Sequence, residues 1–97
     1  MAMYVTLYRF TEQGAKSIND TVTRARQAIA AAEKAGGKVT TLLWTQGQYD
    51  LVGIGEWSND EAAIAFNMSI AKLGFIRTET LRAFTAEEVE KILKKVQ

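Results

Sequence analysis

The sequence predicts an α+β domain of the ferredoxin-like class, in which two helices cover one face of a four-stranded antiparallel sheet. Runs of β-forming residues alternate with runs of helical periodicity in the order strand, helix, strand, strand, helix, strand, and one more helix follows. The chain has 97 residues, so we expect a single domain over residues 1–97. Several predicted strands are apolar on both faces, so the sheet face without helices also needs a cover.

The first half of the chain supplies two strands and the helix between them. Met3 to Phe10 is rich in β-branched and aromatic side chains, which predicts the first strand. After a connection with room for about one helical turn, Asn19 or Asp20 is expected to cap a helix that ends at Gly36. The predicted buried stripe of that helix is Val22, Ala25, Ile29 and Ala32. Lys38 to Trp44 is the second predicted strand.

The second half begins with a third strand, Tyr49 to Trp57, which the short glycine-containing turn joins to the second strand as a hairpin. Capping-box spacing marks the start of both later helices, in the pairs Ser58 with Glu61 and Thr85 with Glu88. The stripe of the first of these helices is Ala63, Phe66, Ile70 and Leu73, and that of the last is Val89, Ile92, Leu93 and Val96. Phe75 to Phe84 is the fourth strand.

Composition narrows the classes of function. Twelve lysines and arginines are dispersed among eleven acids for a net charge of +1, so we expect no nucleic-acid partner. The chain has neither histidine nor cysteine, which removes the usual ligands of zinc and haem, so neither a metal nor another cofactor is expected. It has no signal-peptide pattern and no apolar run of membrane-spanning length, so we expect a cytoplasmic protein with no membrane partner.

The apolar face that the helices leave free predicts self-association. A monomer would expose a large apolar patch there, whereas packing against the same face of a second copy would cover it. We therefore expect a homodimer through the sheet face, with larger assemblies left open. The C-terminal helix is the alternative cover, within its own subunit.

The polar turn between the second and third strands ends in the pair Tyr49 and Asp50. The Asp50 carboxylate could project into a cleft beside Tyr49 and accept a proton or hold a ligand. Alternatively, Gly47 provides the freedom that the turn needs, and Asp50 accepts hydrogen bonds from backbone amides or an arginine. The structural explanation is the commoner one for an aspartate at a turn.

Gly53 and Gly55 fall on the same face of the third strand as Tyr49, Leu51 and Trp57. Two missing side chains in one column open a space. It could be a small pocket walled by Tyr49, Leu51 and Trp57, or it could let a helix or a second subunit approach closely. Close packing is the usual role of glycine in strands.

Arg77 and Glu79 share one face of the fourth strand, and Arg82 is turned to the other. An arginine beside a positioned carboxylate suits a small anionic or polar metabolite. A structural salt-bridge network with Asp50 or Glu56, within the subunit or across a dimer, would explain the same charges and is the more general expectation.

Two separated motifs carry a resemblance to a known family. The first is Gly47-Gln48-Tyr49-Asp50 after Trp44-Thr45, and the second is Arg-Thr-Glu-Thr-Leu-Arg-Ala-Phe-Thr over Arg77 to Thr85. Together they resemble the GYD domain family, over Tyr4 to Val89. This resemblance implies a dimeric α+β barrel, in which two ferredoxin-like subunits join through their sheets. The wider group includes monooxygenases, haem-degrading enzymes and ligand-sensing domains, and their activities do not transfer by fold alone.

These observations lead to the hypothesis of a homodimeric small-molecule-binding or accessory protein. Its candidate ligand-binding residues are Tyr49, Asp50, Gly53, Gly55, Trp57, Arg77 and Glu79. Two alternatives stay open: a cofactor-independent monooxygenase-like or isomerase-like enzyme, and a ligand-sensing regulatory module that acts by association. A carboxylate with a raised pKa inside a closed apolar cavity would favour the enzyme.

Overall fold

The computed structural model describes all 97 residues of the chain. The strands are β1 (Ala2–Phe10), β2 (Lys38–Trp44), β3 (Leu51–Trp57) and β4 (Ile76–Ala83). The helices are α1 (Glu12–Lys16), α2 (Thr21–Lys34), α3 (Asp60–Lys72) and α4 (Ala86–Leu93), with a 3-10 turn at Ile18–Asp20. The predicted order of elements is confirmed, and the connection after β1 holds both α1 and the 3-10 turn.

The four strands form one antiparallel sheet in the order β2-β3-β1-β4. β2 and β3 form the predicted hairpin, closed by the amide of Thr45, which donates to the carbonyl of Asp50 at 2.8 Å. The pairing register shifts between Val39 and Thr41, which indicates a bulge in β2. This α+β arrangement agrees with the predicted ferredoxin-like class.

Alternation along the strands gives the sheet two different faces. Tyr4 pairs with Gly55 on β3 and with Arg82 on β4, so the three residues share one face of the sheet. This is the face that lies under α2 and α3. We call the opposite one the open face. Its apolar positions include Met3, Val5, Leu7, Leu43, Val52, Ile54 and Leu81, and its charged positions are Arg9, Lys38, Glu56, Arg77 and Glu79.

The two long helices cover different parts of the sheet, α2 over β2 and α3 over β3 and β4. A small core of Tyr4, Ala32, Trp57 and Ala63 lies between them, each residue at most 8% exposed. Phe66 extends this core, with its ring centroid 5.2 Å from that of Trp57. In the predicted stripes of α2 and α3, Val22 and Leu73 are exposed instead, because each lies at the end of its helix.

Helix capping follows the prediction in part. The Thr85 side chain accepts from the amide of Glu88 while the Glu88 carboxylate accepts from the amide of Thr85, which confirms the capping box of α4. At α3 the cap is Asn59, whose side-chain oxygen accepts an amide hydrogen bond at 2.8 Å, so the predicted cap at Ser58 is wrong by one residue. Asp20 occupies the cap position of α2 without a side-chain hydrogen bond.

The C-terminal helix α4 does not cover the open face of its own subunit. It makes no extensive contact with any strand of the sheet. Its predicted apolar side is exposed, with Leu93 at 58% and Val96 at 65%. Leu43 and Leu81 on the open face are also 56% and 46% exposed. The apolar open face therefore has no cover within the subunit.

Candidate functional site: a cavity between the helices and the sheet

Where α2 and α3 stand apart, they leave a cavity of about 450 Å³ above the sheet. Sites for small molecules typically span ~300–1,000 Å³ and are mostly apolar. Residues of all four strands form one side of this cavity, and α2 and α3 form the other. The lining is predominantly hydrophobic, and it includes Tyr8, Arg24, Ala28, Leu42 and Phe75.

The strand glycines make room for close packing beside this cavity. A Cβ atom at Gly53 would lie 3.2 Å from the Tyr8 hydroxyl and 3.3 Å from a Leu42 methyl, so the Tyr8 ring occupies the space that Gly53 leaves. At Gly55 a Cβ would lie 3.1 Å from the carbonyl oxygen of Lys38. The two glycines thus allow Tyr8 and β2 to approach the backbone of β3 closely. The sequence left a pocket and close packing open as explanations for these glycines, and the structure favours close packing.

Tyr8 and Arg24 are the only ionisable residues that line the cavity. Burial raises the pKa of the Tyr8 phenol, so this group stays protonated at neutral pH. The Arg24 guanidinium stacks 4.3 Å above the ring of Phe75, and its Nη2 donates to the carbonyl of Ser17 at 2.9 Å. The lining therefore carries one positive charge and no carboxylate.

Trp57 and Asp50 do not line the cavity, and both have structural partners. Trp57 belongs to the core and packs tightly, since a Cβ at Gly37 would lie 2.7 Å from its ring. The Asp50 carboxylate accepts a hydrogen bond from the amide of Phe10 at 2.8 Å, and the Asp50 amide donates to the carbonyl of Tyr8 at 2.8 Å. Asp50 thereby ties the hairpin turn to the end of β1.

Tyr49 lies on the open face, which corrects the expectation that it shares a face with Gly53. Its hydroxyl donates to the Glu79 carboxylate at 3.1 Å, and the Arg9 guanidinium lies 4.7 Å above its ring. The reason is that β3 begins at Leu51, so strand alternation does not extend back to Tyr49.

The strand register places Arg77 next to the group formed by Tyr49, Glu79 and Arg9. It stands directly opposite Arg9 on the neighbouring strand, on the open face. The predicted salt-bridge network with Asp50 or Glu56 is absent within the subunit, where Arg77 donates to the carbonyl of Ile76 at 3.1 Å. The ion pairs of the chain are Lys16 with Glu12 and Arg24 with Asp20.

The sequence profile of the GYD domain matches residues 4–93 of this 97-residue chain. The chain belongs to the GYD domain family. This confirms the resemblance carried by the two motifs. No curated protein and no solved structure matches the chain. No helix of this GYD domain is long and apolar enough to cross a membrane.

The structure divides the candidate residues of the GYD domain between the two faces of the sheet. Gly53, Gly55 and Trp57 lie on the helix-covered face, whereas Tyr49, Glu79 and Arg77 lie together on the open face. Sequence reasoning missed two charged residues, Arg9 and Arg24. The parity of β1 assigns Tyr8 and Arg9 to opposite faces, but only the strand register brings Arg9 opposite Arg77.

A second, more open hollow of about 510 Å³ lies between α3 and β4. Its polar residues include Tyr4, Asp60, Asn67 and Arg82. The Tyr4 hydroxyl donates to the Asp60 carboxylate, and this hydrogen bond raises the pKa of the Tyr4 phenol. Because these groups already bond to one another, and Asn67 bonds to Thr80 at 2.8 Å, this hollow is the weaker candidate for a binding site.

Proposed function

We propose that this GYD domain is a homodimeric protein of the cytoplasm that binds a small, largely apolar molecule in the cavity between its helices and its sheet. The observation that carries the proposal is the cavity itself, with about 450 Å³ and a predominantly hydrophobic lining. A half-open cavity of that size leaves its apolar lining facing water, without the packing contacts that a filled core has. A ligand would restore those contacts and remove the apolar lining from water.

The ionisable groups of the cavity support binding rather than proton-transfer catalysis. A general base for neutral pH needs an accessible deprotonated form. The pKa of the Tyr8 phenol is raised by burial, and a guanidinium such as that of Arg24 keeps its proton in proteins. Neither group is suited to remove a proton from a bound molecule.

The apolar open face supports the homodimer. Leu43 and Leu81 are about half exposed there, and neither α4 nor another element packs over them. A second copy offers an equally apolar surface with the same twist, which suits the packing of two sheets. In such a dimer, Tyr49, Glu79 and Arg77 would lie at one end of the interface, where they could contact a polar group of a ligand or of the other subunit.

A fluorescence titration with the neutral apolar dye N-phenyl-1-naphthylamine tests the cavity. We expect wild-type protein to bind the dye, and Ala28→Phe to abolish binding because residue 28 lines the cavity. Ala30→Phe is the matched control, since Ala30 lies on the same helix but is exposed and outside the lining. If Ala28→Phe and Ala30→Phe bound the dye equally well, the proposal would be wrong.

A further inference from the structure

The cavity described above has one unusual feature, which is a single partly buried positive charge in an otherwise apolar lining. The Arg24 side chain is 21% exposed. Charged groups that lose most of their contact with water need a counter-charge or a full set of hydrogen bonds.

Its partners within the subunit leave much of the guanidinium unsatisfied. Arginine has five N–H donors, and the one hydrogen bond formed here runs from Nη2 to the carbonyl of Ser17. The only carboxylate within 4.0 Å is that of Asp20, at 4.0 Å from Nη1, which is too long for a hydrogen bond. Asp20 is also 73% exposed, so its attraction is strongly screened by water.

The geometry of Arg24 suits an oxyanion. Stacking on Phe75 holds the guanidinium plane in place at the cavity, so little freedom remains to be lost when a ligand binds. Planar guanidinium groups match carboxylates through paired N–H bonds. No acid lines the cavity, and the one carboxylate near the guanidinium, that of Asp20, is screened by water, so an anionic ligand meets only weak competition and repulsion.

We infer that the cavity selects apolar molecules that carry one carboxylate or a similar oxyanion, with Arg24 binding the anionic group and the hydrophobic lining taking the rest. This inference rests on the proposed function, because it names the class of ligand for the same cavity. Arg24 is then a specificity-determining residue, while the apolar residues supply the general affinity.

Calorimetric titration with octanoate and octan-1-ol at pH 7 tests the inference, since the two probes share a chain and differ in charge. We expect wild-type protein to bind octanoate on the order of tenfold more tightly than octanol, the size of a hydrogen bond to a charged group. Arg24→Gln should abolish this preference and leave the affinity for octanol within about twofold, because the neutral alcohol does not need the charge.

Arg26→Gln is the matched control, because Arg26 lies on the same helix but is exposed and outside the cavity lining. It should keep the full preference for octanoate. Arg24→Lys should keep part of it, because the charge remains, and serves as the second variant if Arg24→Gln does not fold.

The outcomes separate the two proposals. Equal affinity of the wild-type protein for octanoate and octanol would overturn the inference and leave the cavity as a neutral apolar site. A preference for octanoate that persists in Arg24→Gln would overturn it as well. If neither probe bound and the neutral dye also failed to bind, the proposed function itself would fall.

Discussion

The two faces of the sheet are built from alternate residues of the same strands, yet they differ in kind. The helix-covered face sets large rings such as Tyr4, Tyr8 and Trp57 beside glycines. The open face carries side chains of more even size, such as Val5 and Ile54. Rings beside glycines give an uneven surface, over which α2 and α3 enclose a cavity. Aliphatic side chains of similar size give a more level one, which suits another sheet.

The proposed function gives the two faces separate roles, namely ligand binding on one and association on the other. If the assignment is correct, a substitution on one face changes one property and leaves the other at its wild-type value.

The largest effect is expected from a charge in the middle of the open face. Ile54→Glu should raise the dissociation constant of the homodimer by at least ~100-fold, which corresponds to about 2.7 kcal/mol. The reason is that symmetry places the new carboxylate in the interface twice, where it loses water without gaining a partner. Sedimentation velocity over a series of micromolar concentrations measures this change.

Met68→Glu is the control for this substitution, because Met68 lies on α3, away from the open face, and is already 63% exposed. It should associate like the wild-type protein. A wild-type protein that is monomeric at these concentrations, or an Ile54→Glu variant that associates normally, would show that the open face is not the interface.

An intermediate effect is expected when a side chain is added at Gly53, on the helix-covered face. In Gly53→Val the new side chain would meet Tyr8 and Leu42, whose atoms lie 3.2 and 3.3 Å from the position of a Cβ. Tyr8 must then move into the cavity. Overpacking of this kind costs about 1–3 kcal/mol of unfolding free energy. Urea denaturation at a fixed protein concentration measures the loss, and dye titration should show weaker binding.

Val52→Ala is the complementary change, because Val52 is the neighbour of Gly53 on the same strand but lies on the open face. It should weaken association and leave the affinity for the dye unchanged. The separation of the two faces would not hold if Gly53→Val kept the wild-type affinity for the dye while Val52→Ala reduced it.

Most of the fold was predictable from the sequence because its signals are local. Strand alternation, the turn between β2 and β3 and the capping box at Thr85 each depend on a few neighbouring residues. The cap of α3 was placed one residue early because Ser58 and Asn59 can both cap a helix. Only the extended backbone of Asn59 in the structure distinguishes them.

The candidate site was less predictable because it depends on distances between elements. The cavity exists because α2 and α3 stand apart, which no local pattern reports. One signal was present in the small side chains of α2, since Ala25, Ala28 and Ala31 all line the cavity. Tyr49 was assigned to the wrong face because alternation was carried from the strand into a turn, where it no longer applies.

The smallest predicted effect concerns the charged end of the open face, where Arg9 and Arg77 stand directly opposite each other without a carboxylate partner. Like charges in that position destabilise a sheet, and cross-strand pairs contribute about 0.2–1 kcal/mol. Arg77→Gln should therefore raise the unfolding free energy of the isolated subunit by a few tenths of a kcal/mol. Urea denaturation in the Ile54→Glu background measures this gain without a contribution from association.

Two controls identify repulsion between the arginines as the cause of that gain. Arg82→Gln removes an exposed arginine from the same strand on the opposite face, where Arg82 stands opposite Tyr4 rather than another cation, so it should give no gain. Added salt should shrink the gain of Arg77→Gln, because it screens the repulsion in the parent protein. If Arg77→Gln instead lowered stability at every salt concentration, Arg77 would be making a favourable contact within the subunit. In that case the charges at this end of the open face would need neither a ligand nor a second copy as a partner.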